Sequence, residues 1–272
     1  MIDFVKIAWY GKHFGEEPPL VGSSKQGAGG IFFTGCNLRC VFCQNYQISQ
    51  ENLGKEYSIK ELAEIMLELQ KQGAINIDLV TPTIWYKQIK KAILIAKEKG
   101  LNIPIVWNSN GYEDLKILKE MEGLIDIYLP DFKYSDNFLG ERYSKIKRYK
   151  EITITAIIEM IRQVGELKIE NNIAKKGIII RHLILPNNIE NSLGVLDEIK
   201  KINKNIHVSL MTQYNPIYNA EKYSEINRKI YESEFEKVYE YKIKLELKNG
   251  WHQELNSAEI FIPDFKKENP FK

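Results

Sequence analysis

Short apolar runs alternate with amphipathic stretches along this chain, and that alternation limits the possible folds more than any other feature of the sequence. Each apolar run has the length of a strand, and a segment with helical spacing of apolar residues follows it further along the chain. The six runs are GGIFFTG (29–35), INIDLVT (75–81), IPIVWNS (103–109), IDIYLPD (125–131), GIIIRHLIL (177–185) and HVSLMTQY (207–214). This alternation predicts an α/β fold with parallel strands and right-handed helical crossovers.

The helical segments carry signals for where they begin and end. In the stretch 58–73, Ser58 and Glu61 form a capping box and Gly73 supplies the stop. The other predicted helices are 85–100, 113–121, 153–165, 191–203 and the charged run from about 221 to 241. Six strand-to-helix units favour an open (β/α) barrel over a doubly wound sheet, although periodicity alone does not separate the two.

No internal repeat, low-complexity block or linker divides the sequence. We therefore expect one domain over residues 1–272, with a core of about 28–216. An N-terminal arm (1–27) precedes this core, and a C-terminal helix and tail (217–272) follow it. The end of the tail, FIPDFKKENPFK, has a weak pattern and is expected to be irregular.

Composition and charge restrict the partners. The formal net charge is +2, so no strong field points to nucleic acid or to a membrane surface. No apolar run approaches the roughly 20 residues that span a bilayer, and the N-terminus lacks the apolar centre of a signal peptide. A cytoplasmic location is the expectation, and reduced thiols are expected there.

All three cysteines of the chain lie in the stretch GCNLRCVFCQN, directly after the first strand run. The C-x3-C-x2-C spacing of Cys36, Cys40 and Cys43 lets three thiolates converge on one metal centre while a fourth position stays open. A [4Fe-4S] cluster with one uncapped iron fits this donor set. The alternatives are a zinc site completed by His13 or another residue, a redox pair formed by Cys40 and Cys43, and a buried apolar cluster.

Polar residues recur where the predicted strands end. Since the carboxyl ends of parallel strands share one edge of the sheet, these residues are expected to converge there. They are Thr81 to Thr83 after the second strand, Asn108 to Gly111 after the third, Asp131 to Lys133 after the fourth, Arg181 and His182 within the fifth, and Gln213 and Tyr214 after the sixth.

The cysteine motif, with Phe42 before its last cysteine, resembles the signature of the radical S-adenosylmethionine (SAM) superfamily. The chain is most similar to activating enzymes of the pyruvate formate-lyase type, in a poorly characterised branch. The segments that carry this resemblance span residues 16–216; among them are EEPPLVGSSKQGAGGIFFTGCNLRCVFCQNYQIS, GAINIDLVTPTIW, WNSNGYE, DIYLPDFKY and IIIRHLILP.

The resemblance implies a partial (β/α)6 barrel, a [4Fe-4S] cluster and SAM. Cys36, Cys40 and Cys43 would bind the cluster, and SAM would bind to its open iron. Reductive cleavage of SAM would then give a 5′-deoxyadenosyl radical, which in the activating enzymes removes hydrogen from a glycine of a partner glycyl-radical enzyme. A radical SAM enzyme acting on a small molecule or another polypeptide is the alternative, and a non-enzymatic iron-sulfur or zinc protein is the other.

The resemblance also assigns roles to residues around SAM. Phe42 would lie near the adenine and Asn45 near the cluster, while Asn108 and Asn110 match a turn near the ribose. Asp131 and Lys133 reproduce a D-x-K element near the SAM carboxylate. Arg181 lies in an apolar strand and needs a counter-charge, which that carboxylate could supply, and Gln213 is a candidate ribose contact.

One element departs from the pattern of the relatives. Where many members have a GGEP motif after the second strand, this chain reads VTPT, so Thr81 and Thr83 replace the acidic residue and only backbone carbonyls could hold the SAM amine. Glu16 and Glu17, ahead of Pro18 and Pro19, are expected in a solvated turn, and an N-terminal arm that covers the site is the alternative. One predicted helical face is rich in lysines, namely Lys87, Lys90, Lys91, Lys97 and Lys99, and is expected to be a solvated surface. The alternative is that it docks an acidic electron donor such as a flavodoxin or ferredoxin.

Overall fold

The computed structural model describes residues 3–255 and 262–272, and these form ten strands and nine α-helices. The strands are β1 (Phe4–His13), β2 (Ala28–Phe33), β3 (Lys55–Ser58), β4 (Ile77–Val80), β5 (Ile105–Ser109), β6 (Ile127–Pro130), β7 (Lys168–Glu170), β8 (Ile173–Leu183), β9 (His207–Met211) and β10 (Gly250–His252). The helices are α1 (Pro18–Val21), α2 (Tyr46–Ser49), α3 (Ile59–Lys71), α4 (Tyr86–Glu98), α5 (Leu115–Met121), α6 (Asn137–Ser144), α7 (Tyr149–Val164), α8 (Ile189–Ile202) and α9 (Glu232–Lys244).

The centre of the fold is a run of six parallel strands in chain order, β2-β4-β5-β6-β8-β9. Each strand lies beside the next one of the series, so the winding never reverses. A doubly wound sheet would contain a reversal of strand order. The structure therefore confirms the predicted α/β fold with a parallel, partly closed barrel.

Helices cover the outer face of this sheet, and each packs on its neighbour from α3 to α4, α4 to α5, α5 to α7, α7 to α8 and α8 to α9. The predicted capping box at Ser58 and Glu61 is confirmed, since each side chain binds the backbone N–H of the other residue. Apolar faces of α3 and α4 bury Leu62, Met66 and Ile93 against the strands. This burial supplies most of the drive for folding.

The sheet is extended at both edges by strands that the sequence analysis did not identify. β1, which falls in the predicted N-terminal arm, pairs antiparallel with β2 and with β3. β10 adds in parallel to β9 at the other edge. The segment after β1 carries α1, whose Leu20 packs against Val106, Ile127 and Ile179. Residues 14–22 thus contact the inside of the barrel.

Two predictions for the C-terminal region have different outcomes. The helix expected from about 221 to 241 is wrong in its first half, where two short 3-10 turns, Ala220–Lys222 and Ser224–Ile226, precede α9. Ile226 is fully buried and its carbonyl accepts a hydrogen bond from the Tyr214 hydroxyl, so tertiary contacts override the local pattern. Residues 262–272 form turns, and Phe261 of the predicted tail lies outside the described residues.

In the described ranges, the helices are all too short or too polar to cross a lipid bilayer.

Candidate active site

A cavity of about 420 Å³ opens at the carboxyl ends of the central strands. Its wall combines strand ends with the segment 13–18, with β10 and with two residues of the tail, Pro263 and Phe271. Of the residues predicted to be functional, the wall includes Cys40, Phe42, Cys43, Asn45, Asn108, Asp131, Lys133, Arg181 and Gln213. A volume of this size is typical of small-molecule sites.

The cysteine loop follows β2 and is fixed by α6. The backbone N–H groups of Arg39 and Val41 donate to the carbonyls of Ser144 and Tyr143, at 3.0 and 2.8 Å. The ring of Phe42 packs against Tyr143 and Tyr214, with centroids 6.5 and 5.6 Å away. These contacts fix the loop with Cys40 and Cys43 on the cavity wall, whereas Cys36 is not part of the wall in the described structure.

Each thiol has a polar neighbour. Cys40 Sγ lies 3.0 Å from Ser144 Oγ, and Cys43 Sγ lies 3.2 Å from Ser49 Oγ. Cys36 Sγ accepts hydrogen bonds of 3.4 Å from the Leu38 N–H and from Asn110 Nδ2. Asn110 is not on the cavity wall; it also donates to Asn37 Oδ1 at 2.6 Å and so holds Cys36 from behind.

Burial raises the pKa of Cys40 to about 11 and that of Cys43 to about 12, and it also raises the pKa of Cys36. Lys133 works against this effect at Cys36 and Cys40, because its positive charge favours the thiolate. Soft thiolates on one loop, with donors and a cation behind them, fit an iron-sulfur cluster, whose iron deprotonates its cysteine ligands. In the residues the structure describes, no three His, Cys, Asp or Glu side chains are arranged to hold a single metal ion. His13 instead packs its ring 4.3 Å from that of Phe271.

The inner part of the cavity is ionic, and Arg181 lies at its centre. The guanidinium donates to Asp131 Oδ1 at 2.9 Å, Glu16 Oε2 at 3.1 Å and Asn108 Oδ1 at 2.6 Å. These carboxylates supply the counter-charge that the sequence required, so the chain itself neutralises Arg181. The next residue, His182, faces the opposite way, between the Phe132 carbonyl and the Ser192 hydroxyl.

Asp131 and Lys133 face the same side, as the two-residue spacing predicts, and Lys133 Nζ contacts Asp131 Oδ2 at 2.5 Å. Burial alone would raise the pKa of Asp131, but Arg181 and Lys133 together hold it below its usual value. Burial would lower the pKa of Lys133, and Asp131 reverses that effect. Both groups are therefore ionised at neutral pH.

Three further carboxyl groups lie close to this pair, and Glu16 among them contacts Arg181. Glu16 and Glu17, expected in a solvated turn, are instead buried, and burial raises both pKa values, that of Glu17 to about 7. Asp78 is 1% exposed on β4, and burial raises its pKa well above the usual value. Glu16 and Arg181 are 165 residues apart, so local sequence patterns do not reveal their contact.

The turn after β4 is held from behind by another buried carboxyl group. Thr83 Oγ1 donates to Glu113 Oε1 at 2.7 Å, and Trp107 Nε1 donates to the same atom at 3.2 Å. Thr81 has φ +58°, an unusual conformation for a β-branched residue, and its N–H donates to the Asn108 carbonyl. The side chains of Thr81 and Thr83 are not part of the cavity wall in the described structure.

The other predicted residues sit at the mouth. Gln213 accepts a hydrogen bond from Gln253 and donates to Gln44, so it links β9, the residue after β10 and the cysteine loop. Asn45 occupies the position just before α2. Ser49 and Ser144, the hydroxyl partners of the thiols, were missed because nothing in their local sequence distinguishes them from surface serines.

Together, the singly wound parallel barrel and the three-thiol loop at its mouth define a class of metal-cluster enzyme folds. The sequence matches the Radical SAM superfamily over residues 31–194. It is 36% identical over 241 residues to the uncharacterized protein MJ0674 of Methanocaldococcus jannaschii, which covers 84% of this chain and 64% of that protein. The chain belongs to the radical SAM superfamily.

Solved structures are similar in fold. That of SuiB from Streptococcus suis superposes with a TM-score of 0.58 at 15% identity, over 83% of this chain and 49% of SuiB. The maturase HydG from Carboxydothermus hydrogenoformans gives 0.56 at 15% identity, over 80% and 50%. The chain therefore spans less than two thirds of MJ0674 and about half of each solved structure, and at these identities the structures are informative about the fold alone.

Proposed function

We propose that this chain reductively cleaves SAM at a [4Fe-4S] cluster held by Cys36, Cys40 and Cys43. The observation that carries the proposal is the position of the cysteine loop, which follows the first parallel strand and turns Cys40 and Cys43 toward the cavity. When bound, a cluster with one iron free of cysteine would supply the electron that splits the sulfonium of SAM into methionine and the 5′-deoxyadenosyl radical. SuiB, whose fold is similar, has also been solved with SAM bound.

The chain's own residues would bind and orient SAM. Phe42 offers an apolar surface for the adenine, and Asn45 offers an amide beside the cysteines. Lys133 uses one of its donors on Asp131, so its other N–H groups are available for the SAM carboxylate. Asn108, Arg181 and Gln213 are proposed as further SAM contacts, with the backbone of Thr81 and Thr83 nearby.

We propose a glycine Cα of a protein partner as the hydrogen donor. Hydrogen transfer would leave a glycyl radical on the partner and release 5′-deoxyadenosine, while a flavodoxin or ferredoxin supplies the electron. The exposed lysines Lys87, Lys91 and Lys97 on α4 are candidates for docking such an acidic reductant.

A donor that is a small molecule or a different polypeptide is the second candidate. It is favoured by the walls of the cavity, because the segment 13–18 and the tail residue Phe271 enclose space that a flat protein surface could not reach. Both candidates share SAM cleavage as the first step, and they differ only in the molecule that donates the hydrogen atom.

The test is anaerobic assembly of the protein with iron and sulfide, followed by dithionite reduction in the presence of SAM. Chromatography should then detect methionine and 5′-deoxyadenosine in equal amounts, and none with Cys40→Ala. Absence of 5′-deoxyadenosine from a protein that holds its full complement of iron would refute the proposal. Incubation with a glycyl-radical enzyme should then give a glycyl doublet in electron paramagnetic resonance, and its absence would favour the second candidate.

A further inference from the structure

The inner cavity carries more carboxyl groups than cations. In the described part of the chain, Glu16, Glu17 and Asp131 line it together with Arg181 and Lys133, and Asp78 lies beside Glu16. Asp131 is contacted by both cations and Glu16 by Arg181 alone. The two cations therefore balance Asp131 and Glu16, which leaves Glu17 and Asp78 without a cation of their own.

Glu17 differs from Asp78 because it reaches the cavity. It lines the cavity wall, 7% of the residue is exposed, and its carboxyl group forms a hydrogen bond with the Ser209 side chain. The other oxygen, Oε2, is buried and has no hydrogen-bond partner among the described residues. A buried acceptor without a donor costs free energy, and Glu17 lies on the cavity wall, where a bound ligand can supply a donor.

Aromatic rings border the same region. His13, Phe32, Trp251 and Phe271 also line the cavity wall. Carboxylates surrounded by aromatic faces attract organic cations through both charge and the ring quadrupole. A cation at this position would favour the ionised form of Glu17, which burial disfavours.

We propose that Glu17 is the counter-charge for a cationic group of the molecule that donates hydrogen, an ammonium or a guanidinium. This inference rests on the proposed function and names the chemical class of its substrate. The cation can belong to a free amine or to a lysine or arginine side chain next to the reacting carbon of a peptide. Both sources would place a positively charged nitrogen group beside the Glu17 carboxylate.

The test measures binding, separately from SAM cleavage, on the assembled protein with SAM present and no reductant. The probes are n-butylammonium with n-butanol as its neutral partner, and acetyl-Gly-Lys-Gly-amide with acetyl-Gly-norleucine-Gly-amide. Titration calorimetry compares the wild type with Glu17→Gln, which keeps the size of the side chain. Glu159→Gln is the matched control, because Glu159 is also largely buried but pairs with Arg162 on α7, away from the cavity.

At least one cationic probe should bind the wild type about tenfold more tightly than its neutral partner, and Glu17→Gln should lose most of that preference. Binding of the free amine identifies a small cation, and binding of the peptide alone identifies a side chain. Equal affinity for charged and neutral probes, competition of the cation with SAM, or an unchanged preference in Glu17→Gln would each overturn the inference. The wild-type comparison remains decisive if Glu17→Gln does not fold.

The outcome is separable from that of the proposed function. Cation binding at Glu17 without production of 5′-deoxyadenosine would support the proposed subsite and refute the proposed radical chemistry. SAM cleavage without any preference for cationic probes would support the proposed chemistry and refute the proposed subsite.

Discussion

The thiol loop and the ionic interior of the same cavity are stabilised in opposite ways. The thiols contact neutral groups, the hydroxyls of Ser49 and Ser144 and the amide of Asn110, at 3.0 to 3.4 Å. The interior is built from full charges around Arg181. Loss of a neutral hydrogen bond destabilises the folded protein little, whereas a buried charge without its partner destabilises it strongly. We therefore expect the loop to control chemistry and the interior to control folding.

The largest effect should come from Cys40→Ala. The thiol is the second of three proposed cluster ligands, so iron content and 5′-deoxyadenosine production should fall to background, measured by metal analysis and chromatography. The free energy of unfolding of the metal-free protein should change by only about 1 kcal/mol, because Ser144 keeps its contact with Tyr134. Full iron content in Cys40→Ala would show that Cys40 is not a cluster ligand.

The next effect should come from Arg181→Met. Its removal leaves Asp131 and Glu16 buried with less compensation, and urea unfolding should show a loss of about 3–5 kcal/mol. Arg142→Met is the control, since Arg142 pairs with Glu225 at the surface, where the two side chains are 40% and 31% exposed, and its loss should change stability little. Equal losses in the two variants would show that burial does not decide the cost.

A smaller effect should come from Thr83→Val, which removes a donor from Glu113 while preserving shape. Glu113 has no cation beside it, and its Oε2 already lacks a partner in the described structure. Urea unfolding should show a loss of about 1–3 kcal/mol. Burial raises the pKa of Glu113 to about 7, so the loss should be greater at pH 8, where the carboxylate is ionised, than at pH 6.

The exposed hydroxyl of Thr155 on α7 provides the comparison for that measurement. It donates to the Glu151 carbonyl, and Thr155→Val should cost little at either pH. A pH-independent cost for Thr83→Val would mean that Glu113 does not titrate in this range.

The smallest effect should come from Asp78→Asn and should have the opposite sign. The folded-state pKa of Asp78 lies above its unfolded value of about 4, so both states are protonated at lower pH. As the pH rises through about 4, the unfolded state ionises first and folding loses stability. The neutral amide lacks this penalty, so Asp78→Asn should be more stable by about 1 kcal/mol at pH 7.5, with no gain at pH 3.5.

Glu64→Gln is the control for this pH dependence, because Glu64 is exposed on the outer face of α3. Thermal unfolding across the pH range should show the same slope for Glu64→Gln as for the wild type. A loss of stability in Asp78→Asn at pH 7.5 would indicate that Asp78 is ionised and that Arg181 compensates it.

The two regions also differ in how much of each the sequence revealed. Cys36, Cys40 and Cys43 lie within eight residues, so their spacing alone indicated a metal centre. The interior depends on contacts between distant segments, although Arg181 was signalled by its apolar strand, and Asn108, Asp131 and Lys133 by their positions at strand ends. Glu16 and Glu17 looked like surface residues, because only the folded segment 14–22 brings them inside.

The predictions of strands and helices likewise succeeded where the local sequence signal was strong and failed where distant contacts decided the structure. The apolar runs of β4 and β5 and the capping box of α3 have strong local signals, and each was identified correctly. β1 was assigned to an arm, although Val5 and Ile7 alternate with exposed or half-buried neighbours along the strand. Residues 221–231 have helical composition, but Ile226 is more stable buried beside Tyr214 than in a continuous helix.

The cavity wall has one practical consequence for engineering. Residues 13–18 and Phe271 lie outside the six strand-to-helix units, yet both face the space where a donor molecule would bind. Exchange of these two peripheral pieces between homologues would change the wall of the cavity while keeping the six strand-to-helix units, provided that the new segment retains Glu16 as a partner for Arg181. Short grafts would thereby vary the shape of the cavity separately from the parallel barrel.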